Sequence, residues 1–281
     1  MKDKLKIALV LGGGAALGYA HLGVIEVLEK HDIKPDIVVG TSMGAMIGGA
    51  YAAGINVSEM LEYARQFKIS QFLDFNIIKF KKCGLSSGKN ITDMLEKAFG
   101  DKKIEDQSIQ FIAVATDIIS KEEVHIKRGS FVKAIRASIS IPVVFEPVKI
   151  GKKMLVDGGI LNQVPADIAK KSGADLIIAV NVTSNYKTVN QVENMIDVIE
   201  NVAVVQQQVL FDLKGKNYNF LIEPELTEMR LMDFKKIDYA INSGKQATEK
   251  IINEIVAFKK TKQEKLDKKI QKTLEMQKSK I

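Results

Sequence analysis

The 281-residue chain has no tryptophan, one cysteine, three histidines and five prolines. A single cysteine, Cys83, excludes an internal disulfide and offers none of the paired spacings that bind zinc. It suits a reducing compartment, and its expected place is as a small apolar filler. Long apolar runs are missing too. Ile7-Ala8-Leu9-Val10-Leu11 follows lysines as a signal peptide would, but it meets three glycines at once, short of the roughly 7–15 residues such a segment needs. No stretch approaches the roughly 18 apolar residues of a membrane span. The expectation is a cytoplasmic protein with no signal peptide or transmembrane helix. Net positive charge is concentrated in one place. Residues 259–281 hold nine lysines and three acids, and so carry +6 of the formal net charge of +7. The near-neutral remainder excludes a basic nucleic-acid-binding body, and no nucleic-acid partner is expected.

Hydrophobic residues make up 46% of the chain, ample for a buried core. Short apolar runs at 7–11 and 36–39 read as buried strands, and 109–115, 123–127, 153–156, 176–182 and 219–222 read as further strands. Between them, helical spacing recurs. Leu17, Ala20, His21, Val24, Ile25 and Leu28 share one face, and further helices are expected over 43–53, 59–67, 92–99, 131–138, 164–171 and 192–209, with mostly helix from 234 onward. Ser58 is the expected N-cap of the helix over 59–67. Strands that alternate with helices predict an α/β fold with a mostly parallel sheet covered on both faces. A main domain over 1–255 and a basic helical tail over 256–281 are expected. In the tail, Leu266, Ile270 and Leu274 form a narrow apolar seam among lysines. It fits adhesion to an anionic membrane, packing along the body, pairing with another chain, or a solvated helix. Residues 67–82 mix Phe67, Phe72, Phe75 and Phe80 with Lys79, Lys81 and Lys82, which fits either a lid or interfacial patch or a packed insertion.

Residues 40–44 read Gly-Thr-Ser-Met-Gly after an apolar run and before a run of small residues. Strand, G-x-S-x-G, helix is the context in which a serine can be a nucleophile raised on a strained turn. The alternative is a glycine-rich turn capped by Ser42. A serine nucleophile needs a base, and histidine is a poor candidate here. His21 and His31 lie in or beside the first helix, His125 belongs to an alternating stretch, and no histidine follows it. Asp157, in Leu-Val-Asp-Gly-Gly at a strand end, could serve if desolvated within reach of the serine. Otherwise it belongs to an ordinary Asp-Gly turn. Gly12-Gly13-Gly14 exposes backbone N–H groups after the first strand, suited to an anion or a developing oxyanion. Phosphate-cofactor readings each miss a residue. A dinucleotide fingerprint from Gly12 needs glycine where Leu17 stands, and a Walker A loop needs lysine where Tyr19 stands. No cofactor and no metal are expected.

Four blocks in order, residues 12–29 (GGGAALGYAHLGVIEVLE), 40–45 (GTSMGA), 137–148 (ASISIPVVFEPV) and 155–165 (LVDGGILNQVP), with a weaker fifth at 84–89 (GLSSGK), resemble the patatin-like phospholipase family in its compact bacterial form. The resemblance implies a three-layer α/β/α sandwich and a Ser–Asp dyad that works without histidine. It implies Ser42 as nucleophile, Asp157 as proton acceptor, and the amides of Gly12, Gly13 and Gly14 as the oxyanion hole. Gly40, Gly44, Gly158 and Gly159 support the two motifs. The implied activity is hydrolysis of acyl esters of phospholipids or other lipids through an acyl-enzyme. A lipid-binding module with little catalysis, or an acyltransferase on the same dyad, are the alternatives. One position departs from the family pattern, since Leu17 stands where many relatives carry Arg or Lys.

Overall fold

The computed structural model describes residues 4–66, 83–187, 192–193 and 195–278. An eight-stranded sheet runs through its centre, made of β1 (Ile7–Leu11), β2 (Ile37–Thr41), β3 (Gln110–Asp117), β4 (Glu122–Ile126), β5 (Val148–Ile150), β6 (Lys153–Asp157), β7 (Leu176–Val180) and β8 (Phe220–Ile222). The order is β5-β6-β3-β2-β1-β7-β8, with β4 paired to β3 off this path. The run β3-β2-β1-β7-β8 is parallel, and β4, β5 and β6 add antiparallel pairs at the β3 side. Strands β1, β2 and β7 are buried along their whole length, as expected of parallel strands covered on both faces.

The described helices are α1 (Ala20–Lys30), α2 (Met43–Ala52), α3 (Val57–Gln66), α4 (Lys89–Phe99), α5 (Phe131–Ser138), α6 (Ala166–Lys171), α7 (Met195–Lys214), α8 (Ile237–Glu249) and α9 (Ile252–Lys278). Alternate residues of β1 divide between two cores. Leu9 and Leu11 join Leu22 and Ile25 of α1, Ile135 of α5 and Ile241 of α8. Ala8 and Val10 join Ile168 and Ala169 of α6. The molecule is thus a three-layer α/β/α sandwich. Helix α8 is fastened to α1 with almost no space between backbones, because a Cβ on Gly23 would strike the Ile241 carbonyl and one on Gly244 would strike the Ala20 carbonyl. The C-terminal third is thereby built into the same core as the first glycine loop. Helix α9 continues unbroken through the boundary expected after residue 255. Its first turns dock, with Ile255 buried, Phe258 edge-on to Phe220 at 5.4 Å and Lys259 Nζ on the Asp32 carbonyl at 2.7 Å.

Several expectations change. The helix expected from Ser58 is capped instead by Asn56, whose Oδ1 accepts from the Glu59 N–H at 2.9 Å, and Ser58 lies inside α3. Cys83 is exposed rather than a core filler. Ala15–Tyr19 forms a 3-10 turn ahead of α1, so the first helix starts later than its periodicity suggests. The three-residue strand β5 has too short a pattern to be read from sequence. Residues 67–82, expected as a lid or insertion, lie outside the described residues.

Candidate active site

Strand β2 ends at Thr41 and α2 begins at Met43, which leaves Ser42 alone at the turn with φ 53° and ψ −123°. A side chain is rarely held there, and strain of this kind clusters at functional sites. The turn is tight because Gly44 presses on the neighbouring loop, where any Cβ would collide with the carbonyls of Leu11 and Gly12. The Ser42 side chain makes no capping bond to α2, so the turn does not use its hydroxyl. Its backbone N–H donates to Ser138 Oγ at 2.9 Å, and that hydroxyl donates to the Val114 carbonyl at 2.6 Å.

Strand β3 brings Asp157 to the same place. Val114 pairs with Thr41, and the next residue, Ala115, pairs with Asp157. The Asp157 N–H donates to the Ser140 carbonyl at 2.9 Å, two residues beyond the serine that holds Ser42. Its Oδ1 accepts from the Gly159 N–H at 2.8 Å, within the short 3-10 turn that Gly158 and Gly159 open. Its Oδ2 is buried and has no partner of full hydrogen-bond geometry. Burial pushes the carboxyl up to about 6, against the lowering effect of the nearby Ser42 hydroxyl and the Gly159 N–H. Ser42 therefore sits close enough to bias Asp157 without closing an ideal bond to Oδ2, a looseness common in unliganded sites.

The first glycine loop meets both motifs. Gly12 donates to the Val180 carbonyl and Gly13 to the Gln163 carbonyl, each at 3.0 Å. Thr41 Oγ1 donates to the Asn162 carbonyl at 2.8 Å, tying the serine strand to the segment after Asp157. The amides of Gly12 and Gly13, two of the three expected oxyanion donors, are thus bonded to backbone carbonyls. Among the described residues, the N–H groups of Gly14 (φ 151°) and Ala15 (φ 44°) have no acceptor. His21 lies beneath this loop, fully buried, with Nε2 2.8 Å from the Gly12 carbonyl. Desolvation lowers its pKa to about 4 despite that contact, which keeps it neutral and makes it a donor to Gly12. Leu17 is fully buried in the larger core, so position 17 has an apolar setting here. His31 ends α1 in solvent. His125 sits 2.6 Å from Glu123 in a separate cluster with Lys214, Asn162 and Asp167.

Sequence reasoning found the block at 137–148 but gave its residues no task. Ser138 and Ser140 hold the backbones of Ser42 and Asp157, and Arg136 braces them from one turn below. Its Nη1 donates to Ser140 Oγ at 2.8 Å, its Nη2 to the Ser87 carbonyl at 3.0 Å, and the guanidinium lies over the Phe145 ring at 4.8 Å. The segment at 84–89 is thus the outer wall of the same brace. The recurrence of small polar residues two apart, Ser138 and Ser140, was the available signal.

The family model described as patatin-like phospholipase matches residues 9–170, and the chain belongs to that family. An uncharacterized NTE family protein of Mycobacterium tuberculosis strain CDC 1551 is 30% identical over 266 residues, covering 86% of this chain and 45% of its own. Another, from strain H37Rv, is 38% identical over 183 residues, covering 64% of this chain and 50% of its own. Mouse patatin-like phospholipase domain-containing protein 6 is 31% identical over 274 residues, covering 85% of this chain and 20% of its own. The chain therefore spans about half the length, or less, of these curated relatives. VipD of Legionella pneumophila shares the fold at a TM-score of 0.57 and 14% identity, over 90% of this chain and 67% of VipD. Family membership supports lipid acyl hydrolase activity in general terms. Among the described residues no helix is long and apolar enough to cross a membrane.

The raised carboxyl has a consequence for stability. A carboxyl whose pKa rises on folding is best tolerated below its unfolded value near 3.8, and folding is progressively penalised as pH rises through about 6. Asp157→Asn removes the buried charge, so thermal unfolding should show the variant more stable above pH 6, by on the order of 2–3 kcal/mol. The difference should close below pH 4.

Proposed function

We propose that the protein is a serine lipid acyl hydrolase acting on phospholipid or lysophospholipid esters through a Ser42–Asp157 dyad. The observation that carries the reading is the unspent Ser42 hydroxyl beside a buried carboxyl with one bare oxygen. In the first half-reaction, Ser42 Oγ attacks the ester carbonyl carbon while Asp157 Oδ2 takes the hydroxyl proton. The carbonyl oxygen becomes an oxyanion, with the amides of Gly14 and Ala15 as its proposed donors. The intermediate collapses, the C–O bond to the alcohol breaks, and Asp157 returns the proton to the leaving alkoxide. A water molecule then attacks the acyl-enzyme with Asp157 again as base, and the fatty acid leaves as Ser42 regains its proton. The dipole of α2 points its positive end at this chemistry.

An apolar cavity supports the lipid part of the reading. It has a volume of about 100 Å³, and its described walls come from the 3-10 turn, α1, α2, α3 and α4. Met43, covalently next to Ser42, forms one wall, and Met46, Ala50, Met60 and Phe99 form others. Methionines adapt their shape to flexible apolar ligands, and dry cavities of this order accept small hydrocarbons. We assign it to the acyl chain.

Two tests follow. Wild type should hydrolyse members of a phospholipid and lysophospholipid panel, and Ser42→Ala should lose at least about 1000-fold in kcat, as removal of a nucleophile does. Since only the carboxylate form of Asp157 accepts a proton, kcat/KM should be half-maximal near pH 6 and fall about tenfold per unit below pH 5. Undiminished turnover by Ser42→Ala would end this reading. Filling the cavity with Ala50→Trp should shift preference from long to short acyl chains by tenfold or more, measured as the ratio of kcat/KM values across a chain-length series. An unchanged ratio would remove the cavity from the acyl site.

A further inference from the structure

Helix α7 carries an exposed aliphatic stripe. Val198, Val202, Val205, Val209 and Leu213 recur at steps of three or four residues and so share one face. They are 46, 61, 64, 52 and 77% exposed. The other side of the helix is anchored by polar and aromatic contacts. Asp197 and Glu200 meet Arg230 at 2.8 and 3.7 Å, Phe211 stacks on Tyr218, and Lys214 reaches Glu123 at 2.8 Å, while Gln206, exposed at the margin of the stripe, donates to the Ile160 carbonyl. These contacts fix which way the helix faces, so the aliphatic side is turned to solvent by the architecture. From 198 to 213 the one charge at an exposed position is Asp212.

We propose that this stripe seats the protein on a lipid surface, with the turn that carries Asp157 beside the contact. The proposal rests on the lipid hydrolase reading above, which gives the protein a reason to meet such a surface. Three observations favour lipid over a second copy of the chain. The fifteen steps from residue 198 to 213, at about 1.5 Å each, make a stripe about 22 Å long and one helix, about 10 Å, wide. That is roughly 200 Å², about a quarter of the roughly 800 Å² per partner of a standard stable interface. The stripe carries almost no charge and has no polar partners that would specify register, so it complements hydrocarbon. Through Gln206 and Ile160 the helix also lies against the residues that follow Asp157, so lipid drawn to the stripe arrives about one helix diameter from the catalytic carboxyl.

A neutral face adds nothing to attraction by anionic headgroups, whereas adhesion through the basic tail would depend on them. This separates the two in one experiment. The full-length protein is floated with phosphatidylcholine vesicles at high salt, beside the triple variant Val202→Gln, Val205→Gln, Val209→Gln. Glutamine is at least as good a helix former as valine, so α7 itself is preserved. Wild type should bind, and the variant should bind at least tenfold more weakly and lose a similar factor in hydrolysis of vesicle lipid. Both should turn over a water-soluble short-chain ester within twofold of each other. Equal vesicle binding by the two proteins overturns the proposal, as does a wild-type dimer that the substitutions convert to monomer in sedimentation equilibrium. A wild type that binds vesicles but hydrolyses neither the soluble ester nor lipid rejects the hydrolase reading and leaves the docking face standing.

Discussion

A carboxyl buried without a counter-charge is the constraint around which the site is arranged. Asp157 has one oxygen on the Gly159 amide and the other bare, and no cation lies among the contacts that set its pKa. Such a group is costly to ionise out of water, and it responds by binding its proton more tightly. A free aspartate, near 3.9, is a weak base at neutral pH. Raised to about 6, it is roughly a hundredfold more basic and still largely ionised at pH 7. In the proposed dyad, the same burial that strains the fold gives the aspartate the basicity that a histidine supplies in a triad. The neutral, buried His21 is occupied with supporting the glycine loop instead.

Such a base is useful only if it is held in place, and most of the surrounding structure does that. Strand β3 offers consecutive positions to Thr41 and Asp157, which fixes the two partners along a single template. The Ser138–Ser140 segment grips both backbones from one side, and Arg136 secures that segment against Ser87 and Phe145. From the other side, Gly44 lies on the Leu11 and Gly12 carbonyls, and Gly13 bonds to Gln163. These contacts hold Ser42 in its unfavourable backbone conformation, a cost on the order of 1–3 kcal/mol that a looser turn would release. The bonds that commit Gly12 and Gly13 stiffen the loop, leaving the unbonded amides of Gly14 and Ala15 at its tip.

Much of the layering was legible in the chain. The fully apolar runs at 7–11 and 176–180 read as buried strands, and a serine or an aspartate soon after such a run lies at the edge of the sheet. It was the family resemblance, not that reasoning alone, that implied Ser42, Asp157 and the glycine loop act together. What the sequence concealed depends on contacts between distant residues. Ser42 and Ser138 are 96 positions apart, and nothing local marks one as the anchor of the other. Whether a glycine amide is free or bonded likewise depends on carbonyls such as those of Val180 and Gln163, supplied by other loops. Local competition explains the cap of α3, where Asn56 and Ser58 both suit an N-cap and the start of the helix decides between them. Cys83 shows the limit of residue-type averages, since a small thiol is buried by habit and here is not.

The proposed acyl cavity and the proposed lipid-facing helix differ in character. On one side, Met43 beside Ser42 borders the methionine-lined cavity between α2, α3 and α4 that is proposed for the acyl chain. Toward the solvent, α7 leans on the Asp157 turn with an apolar back. Both features depend for their meaning on the pairing of Ser42 with Asp157. A fluorophosphonate probe, followed by peptide mass spectrometry, tests that pairing most directly. The probe should label the native protein at Ser42, and Asp157→Asn should abolish the label while the fold is retained. Labelling at another residue, or equal labelling of Ser42 in the Asp157 variant, would contradict it.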